Sequence, residues 1–354
     1  MNENTSSRKT LSMALLIVGC FLMLAALWMD FTKNYNAFGF ASARGVFLVC
    51  GALLVLAGLY FFPTMMHHRA IINFLFLFPL LFTFAVTVII PMFVGIFYSF
   101  TDWNGVTFTK NVGLENYAAM FKEPAFIWSL LLTCLFVLVN MVLVNLVAFL
   151  LALLCTTKLK GVGFFRAAYF LPNLIGGIVL GYIWQFIFAN VMTKLPGIQH
   201  SPLAMTKSAF FCIIAVYVWQ YAGYIMLIYI NGLVTVPKDV LEAASIDGAN
   251  PLKTLFHIKI PMIAATFTIC TFLTLTSAFK QFDVNLALTN GGPVAMFMKT
   301  PVQASELLAL NIYNTAFKYS KMAQGQAKAV IFFIVLVVVS LVQVSINKSK
   351  EVEM

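Results

Sequence analysis

Charge is scarce in this sequence. Of 354 residues, 12 are acidic and 22 basic, so 10% are charged, against about 25% in ordinary soluble domains. No Gly-x-x-x-x-Gly-Lys-Ser/Thr phosphate loop occurs, which excludes an ATPase of the usual kind. Four histidines (67, 68, 200 and 257) lie in loops or at loop ends and suggest no metal centre. Cysteines 20, 50, 134, 155, 212 and 270 all fall in apolar runs without a Cys-x-x-Cys pair. They read as small apolar residues, not as a disulfide framework or metal site. The net charge of +10 is spread between apolar runs and makes no basic stripe, so nucleic acid is not the expected partner.

What is abundant is apolar surface. Hydrophobic residues make up 62% of the chain, including 36 phenylalanines. A water-soluble core cannot bury so much, so lipid is the solvent for most of the chain. A spanning helix needs about 20 mainly apolar residues. Eight runs qualify, near 11–29, 45–62, 71–98, 127–156, 164–189, 208–231, 261–281 and 329–346. The fold class is therefore all-α integral membrane with about eight transmembrane helices. The first run follows Arg8 and Lys9 but is longer than a signal-peptide core, and reads as an uncleaved span. Pro79 and Pro91 in the third run, and Pro172 with Gly176-Gly177 in the fifth, predict kinks or unwound turns. Outer segments near 100–126, 190–207 and 282–328 have room for short surface helices. An even number of spans puts both termini on one side. Basic residues are denser on the short segments that face the cytoplasm if the N-terminus does too.

The longest inner segment, 232–260, is the most informative. It predicts two short helices joined by a turn. Pro237 suits the first turn of a helix, Gly248 ends that helix, Asn250 caps the next and Pro251 takes its first position. Pro261 then opens the seventh span. Ala243 and Ala244 leave a face that another protein can approach closely. Glu242 and Asp247 could also be read as a paired-carboxylate acid/base site, but a loop with no implied cavity favours interface contacts.

This loop resembles the signature of binding-protein-dependent ABC importer permeases: Glu-Ala-Ala, three residues, Gly, nine residues, Ile, one residue, Leu-Pro. Glu242, Ala243, Ala244, Gly248, Ile258 and Pro261 stand at that spacing, with Ile260 in place of leucine. Further stretches are similar to the carbohydrate, maltose-transporter-type branch. They are Val112–Tyr117, Arg166 with Tyr169–Pro172, Leu288–Pro293 and Ile312–Phe317. The stretch from Pro293 to Tyr313 is longer than usual in that branch. The resemblance implies a type I permease core over 71–346, with a coupling loop over 236–261 that docks on a cytoplasmic ATPase subunit. Residues 1–70 would form an extra leading pair of helices, and 347–354 a cytoplasmic tail. It also implies a second permease subunit (making a heterodimer), two ATPase subunits that bind ATP and Mg, and an extracellular solute-binding protein. No cofactor is expected in this chain. The location implied is the bacterial inner membrane, with both termini cytoplasmic.

A sugar loses water from its hydroxyls on entry but not from its C–H faces, so its path needs polar and aromatic groups. Tyr217, Gln220, Tyr221 and Tyr224 share one face of the sixth span by i, i+3, i+4, i+7 spacing. Thr274, Ser277, Ala278 and Gln281 share a face of the seventh. The resemblance places both faces on the solute cavity. An interfacial aromatic belt with ordinary interhelical hydrogen bonds is the plainer alternative. Lys280 and Asp283 mark the outer end of the seventh span, and either stay hydrated or touch the solute or the binding protein.

Two other functions compete. An ion-coupled secondary transporter would carry acidic residues deep in its spans, and no span centre holds Asp or Glu. A membrane-embedded enzyme would need a convergent His/Asp/Glu set inside the membrane, which the histidine positions do not supply.

Overall fold

The computed structural model describes residues 3–32, 43–61, 68–107, 110–157, 160–196 and 200–348. His67 and the tail beyond Lys348 lie outside the described residues. The chain divides into two compact units, Met1–Val94 and Gly95–Met354.

In the first unit, α1 (Glu3–Thr32) and α2 (Ala43–Phe61) run antiparallel, followed by α3 (His68–Phe84) and a π-helical turn at Ala85–Ile89. The first pair is held by glycine. A Cβ on Gly19 would stand 2.8 Å from the Gly51 carbonyl oxygen, and one on Gly58 would stand 2.9 Å from the Leu16 nitrogen. Small residues let helix backbones approach where lipid supplies no hydrophobic drive between helices. The Ser12 hydroxyl donates to the Gly58 carbonyl at 2.5 Å across the same seam. The outward residues Ile17, Phe21 and Leu53 are exposed, as lipid contact requires.

The second unit is built on α6 (Pro124–Cys155) and α9 (Thr206–Thr235), the most buried of its long helices. Phe136, Val144, Tyr217, Met226, Tyr229 and Cys270 meet in its core. The last of these lies on α13 (Ala264–Phe279), and α16 (Met322–Lys348) flanks the cluster. Polar groups tie the helices together. Asn145 accepts from the Tyr229 hydroxyl at 2.9 Å and donates to Thr274 Oγ1 at 3.3 Å, linking α6, α9 and α13. Four threonines of α13 (268, 271, 274 and 276) return their hydroxyls to the carbonyl four residues earlier. Asn145→Leu is expected to remove about 1–2 kcal/mol from the three-helix junction, read as a lowered melting temperature of the purified chain in detergent. Tyr229→Phe should show roughly half that effect.

Among the described residues, six helices are long and apolar enough to cross a membrane, and the number is eight if each of two bent pairs is one span. In the first pair, α7 (Val162–Leu174) and α8 (Gly177–Phe186) meet at 99°. Pro172 lies inside α7, and Ile175 and Gly176 adopt extended ψ values of 128° and 136°, so the helical bonding stops there. This is the break anticipated from Gly176-Gly177. The second pair, Pro251–Met262 and Ala264–Phe279, bends by 72° at Ile263. That break corrects the sequence reading: Pro261 does not open the seventh span but sits in the last turn before the bend, and the span proper begins at Ala264. Pro91 makes no sharp break. Two π-helical turns, Ala85–Ile89 and Leu255–Lys259, each end two residues before a proline, Pro91 and Pro261. A wider turn absorbs the missing N–H and the ring clash with the preceding turn.

The outer segments hold α5 (Glu115–Lys122), α14 (Asp283–Thr289) and α15 (Leu308–Tyr313); among the described residues between a π-helical turn ending at Val191 and the start of α9 at Thr206, there are single 3₁₀ turns at Met192–Lys194 and Pro202–Ala204. The one addition to an all-helical plan, among the described residues, is an antiparallel hairpin of β1 (Val294–Phe297) and β2 (Thr300–Gln303). It occupies the stretch after Pro293 that the resemblance marked as long. Asn285 fixes its base, donating to the Ser305 carbonyl at 2.8 Å and accepting from Leu307 N–H at 3.0 Å.

Candidate functional site: an exposed helical loop and two polar regions

The loop after α9 is two short helices, as the sequence predicts. The first, α10 (Lys238–Ile246), starts just after Pro237, which is its N-cap and not a first-turn residue. Gly248 has φ +74°, a left-handed conformation that suits glycine. The Asn250 side chain accepts from Lys253 N–H at 2.8 Å, capping α11 (Pro251–Thr254), and Pro251 sits at its first position. The chain then continues through the π-helical turn to α12 (Ile260–Met262). Glu242, Ala243, Asp247, Gly248 and Pro261 are exposed, Ile258 is half-buried and Ala244 turns inward. Three large apolar side chains also stand in the open: Ile246 is 86% exposed, Leu252 66% and Phe256 61%. A polar segment outside the spans has no internal use for these side chains, and such a patch marks an interaction surface.

The proposed solute-facing residues are distributed unevenly. Tyr217 is fully buried, stacked on Tyr221 (ring centroids 4.4 Å apart) and edge-on to Phe136. Gln220 is buried, and its amide reaches the Ile175 carbonyl at 3.5 Å, the edge of hydrogen-bond range. Tyr221, Tyr224 and Ser277 are half-buried. Gln281 is buried, and its Nε2 has no hydrogen-bond partner among the described residues. The first bend lies beside these side chains, because the carbonyl that the Gln220 amide reaches belongs to Ile175 at its break.

Two groups of polar residues escaped the sequence reading. The first lines a cavity of about 510 Å³ that includes Tyr182, Gln185, Phe186, Asn190 and Thr289. Tyr182, Gln185, Phe186 and Ala189 follow i, i+3, i+4, i+7 spacing, so the helical-face test applied to the sixth span would have found them. The second centres on Lys328, which is fully buried. Its Nζ lies 2.8 Å from Glu123 Oε2 and donates to Asn311 Oδ1 at 3.0 Å and Thr315 Oγ1 at 2.7 Å. Asn311 also donates to Glu306 Oε2 at 2.9 Å, and Asn314 donates to Glu306 Oε1 at 2.6 Å. Starting the eighth span at 329 left Lys328 in a loop, whereas the helix begins at Met322.

Long apolar helices, two of them broken, and an exposed helical loop define a membrane transport component. Residues 124–351 match the family model described as binding-protein-dependent transport system inner membrane component. The chain belongs to that family. It is 40% identical over 285 residues to the probable starch degradation products transport system permease protein AmyD of Thermoanaerobacterium thermosulfurigenes, covering 79% of this chain and 95% of that one. It is 29% identical to the multiple sugar-binding transport system permease protein MsmF of Streptococcus mutans, over 74% of this chain and 90% of that one. Identity to the sn-glycerol-3-phosphate transport system permease protein UgpA of Agrobacterium fabrum is also 29%, over 66% of this chain and 79% of the other. Among solved structures, the fold is shared with a bacterial ABC transporter involved in import of the acidic polysaccharide alginate. The TM-score is 0.68 at 17% identity, covering 80% of this chain and 97% of that one. The chain is a multi-pass transport permease with a type I importer core.

Proposed function

We propose that this chain is the permease subunit of an ATP-driven importer for a sugar or related polar solute, and that the 236–261 loop carries force from a cytoplasmic ATPase into the membrane core. The observation that carries this reading is the loop's exposed surface, where Ile246, Leu252 and Phe256 flank the outward Glu242, Ala243, Asp247 and Gly248. In this arrangement the loop faces the cytoplasm, both termini lie on that side of the bacterial inner membrane, and 282–321 faces outward. A second permease subunit completes the channel as a heterodimer. Two ATPase subunits bind ATP and Mg, and an extracellular binding protein delivers the solute.

The half-buried Tyr221, Tyr224 and Ser277, with Gln220, Gln281 and the buried Tyr217 behind them, line the path. Closure of the ATPase pair pulls on the loop and the two permeases rock. The solute moves because the two states bind it with different affinity. The sugar class is favoured by the aromatic and amide side chains along α9 and by the starch-product and multiple-sugar relatives. The test is uptake and ATP hydrolysis by the assembled transporter in vesicles. Both are expected to need the ATPase subunits and the binding protein, and uptake that persists without any ATPase subunit refutes the proposal.

A further inference from the structure

Beneath the β-hairpin lies a cavity of about 570 Å³ that the transport reading does not use. The hairpin roofs it with Val294, Pro301, Val302 and Gln303, the start of α6 gives Glu123 and Ala125, and Glu306, Asn311, Tyr319 and Lys321 complete it. The hairpin is held in place. The Trp128 indole donates to the Ala304 carbonyl at 3.2 Å, and its ring lies 5.2 Å from that of Phe297.

Glu306 is 3% exposed, yet it borders the cavity. An ionised carboxylate offers about four lone-pair sites. Among the described residues only two are filled, one on each oxygen, by Asn311 and Asn314. A buried carboxylate with acceptor capacity to spare is costly unless a donor arrives. Charges of both signs surround the cavity: Glu123 and Glu306 stand against Lys321, the buried Lys328 that pairs with Glu123, and Lys318, whose Nζ lies 5.8 Å from the Tyr319 ring centroid. Hydroxyl groups both donate and accept, so a molecule with several of them can use the acidic and the basic groups alike. Tyr319 is about half exposed; Lys318 Nζ stands over one face of its ring, and the ring adds aromatic surface to the cavity wall for C–H groups. The size falls within the range of ligand sites and suits a short saccharide.

We propose that this pocket is a second saccharide site, separate from the path along α9 and α13, which binds one end of a neutral oligosaccharide through Glu306, Gln303 and Tyr319. Its placement on the outer face rests on the orientation proposed above. The site would hold a solute as it leaves the binding protein, before the path itself opens.

The test is equilibrium binding of radiolabelled maltotriose, raffinose and xylotriose to the complete transporter in nanodiscs, without nucleotide or binding protein. Two classes of site are expected for at least one of these sugars. One should weaken about tenfold or more in Tyr319→Ala, and in Ala125→Phe, which fills the cavity. The other should weaken in Tyr221→Ala instead. Glycerol 3-phosphate should not compete at the outer site. Tyr319 is exposed enough that its loss leaves the fold intact, so an unchanged isotherm in that variant overturns the proposal. Failure of all three sugars to bind, or competition by the charged solute, does the same. Sugar import that persists while the pocket variants bind like wild type sinks the pocket alone. Binding at the pocket in a transporter that imports no sugar sinks the importer reading alone.

Discussion

Gly223→Ala is expected to yield little folded protein. The Cβ it adds to α9 would stand 1.8 Å from the Tyr169 carbonyl oxygen and 2.4 Å from its carbon. Both are backbone atoms of α7, so no rotamer change relieves the clash and the two helices must separate. Overpacking a well-packed site costs about 1–3 kcal/mol when side chains can adjust, and here they cannot. The loss also spreads along the whole α7–α9 contact, because dispersion falls steeply with each fraction of an ångström. Against a total stability of about 5–15 kcal/mol for a typical domain, that is a large share. The measurement is the yield of monodisperse protein on size exclusion and its melting temperature. Gly163→Ala is the control: its added Cβ meets nothing within 4 Å and should leave both readings unchanged.

Ile246→Asp combined with Phe256→Asp is expected to abolish uptake while the permease itself folds normally. Both side chains are mostly exposed, so replacing them removes little internal packing. At an interface, truncating a central apolar anchor costs about 2 kcal/mol or more, and burying a carboxylate there adds a desolvation penalty. Two such changes weaken docking by about a thousandfold or more if their effects add. ATPase subunits should no longer co-purify with the membrane complex, and uptake in vesicles should fall to background. Glu242→Lys should act in the same direction. Unimpaired co-purification of the double variant would show that the motor docks elsewhere.

The spans were legible because lipid demands long apolar runs, and each of the eight runs overlaps a helix or bent pair. The loop was legible because its turn residues have conformational meaning: Asn250 caps, Pro251 starts and Gly248 takes a positive φ. Where the reading failed, a local signal met a packing decision. Pro261 looked like a helix start, but the π-helical turn before it let the helix run on to Met262. Tyr217 shares the tyrosine face by spacing but lies behind it, edge-on to Phe136 of α6, a depth that helical spacing alone does not give. Lys328 was hidden because a buried lysine depends on partners from Glu123 to Thr315, far apart in sequence. The β-hairpin was visible only as extra length.

The threonine hydroxyls of α13 carry a consequence for how that helix behaves. With their protons already given to their own backbone, Thr268, Thr271, Thr274 and Thr276 turn methyl groups outward. A helix that looks polar on paper thus offers its neighbours a greasy, low-friction surface. Any shift of α13 along α6 and α16 would therefore break few interhelical hydrogen bonds, the Asn145 contact with Thr274 being one of them.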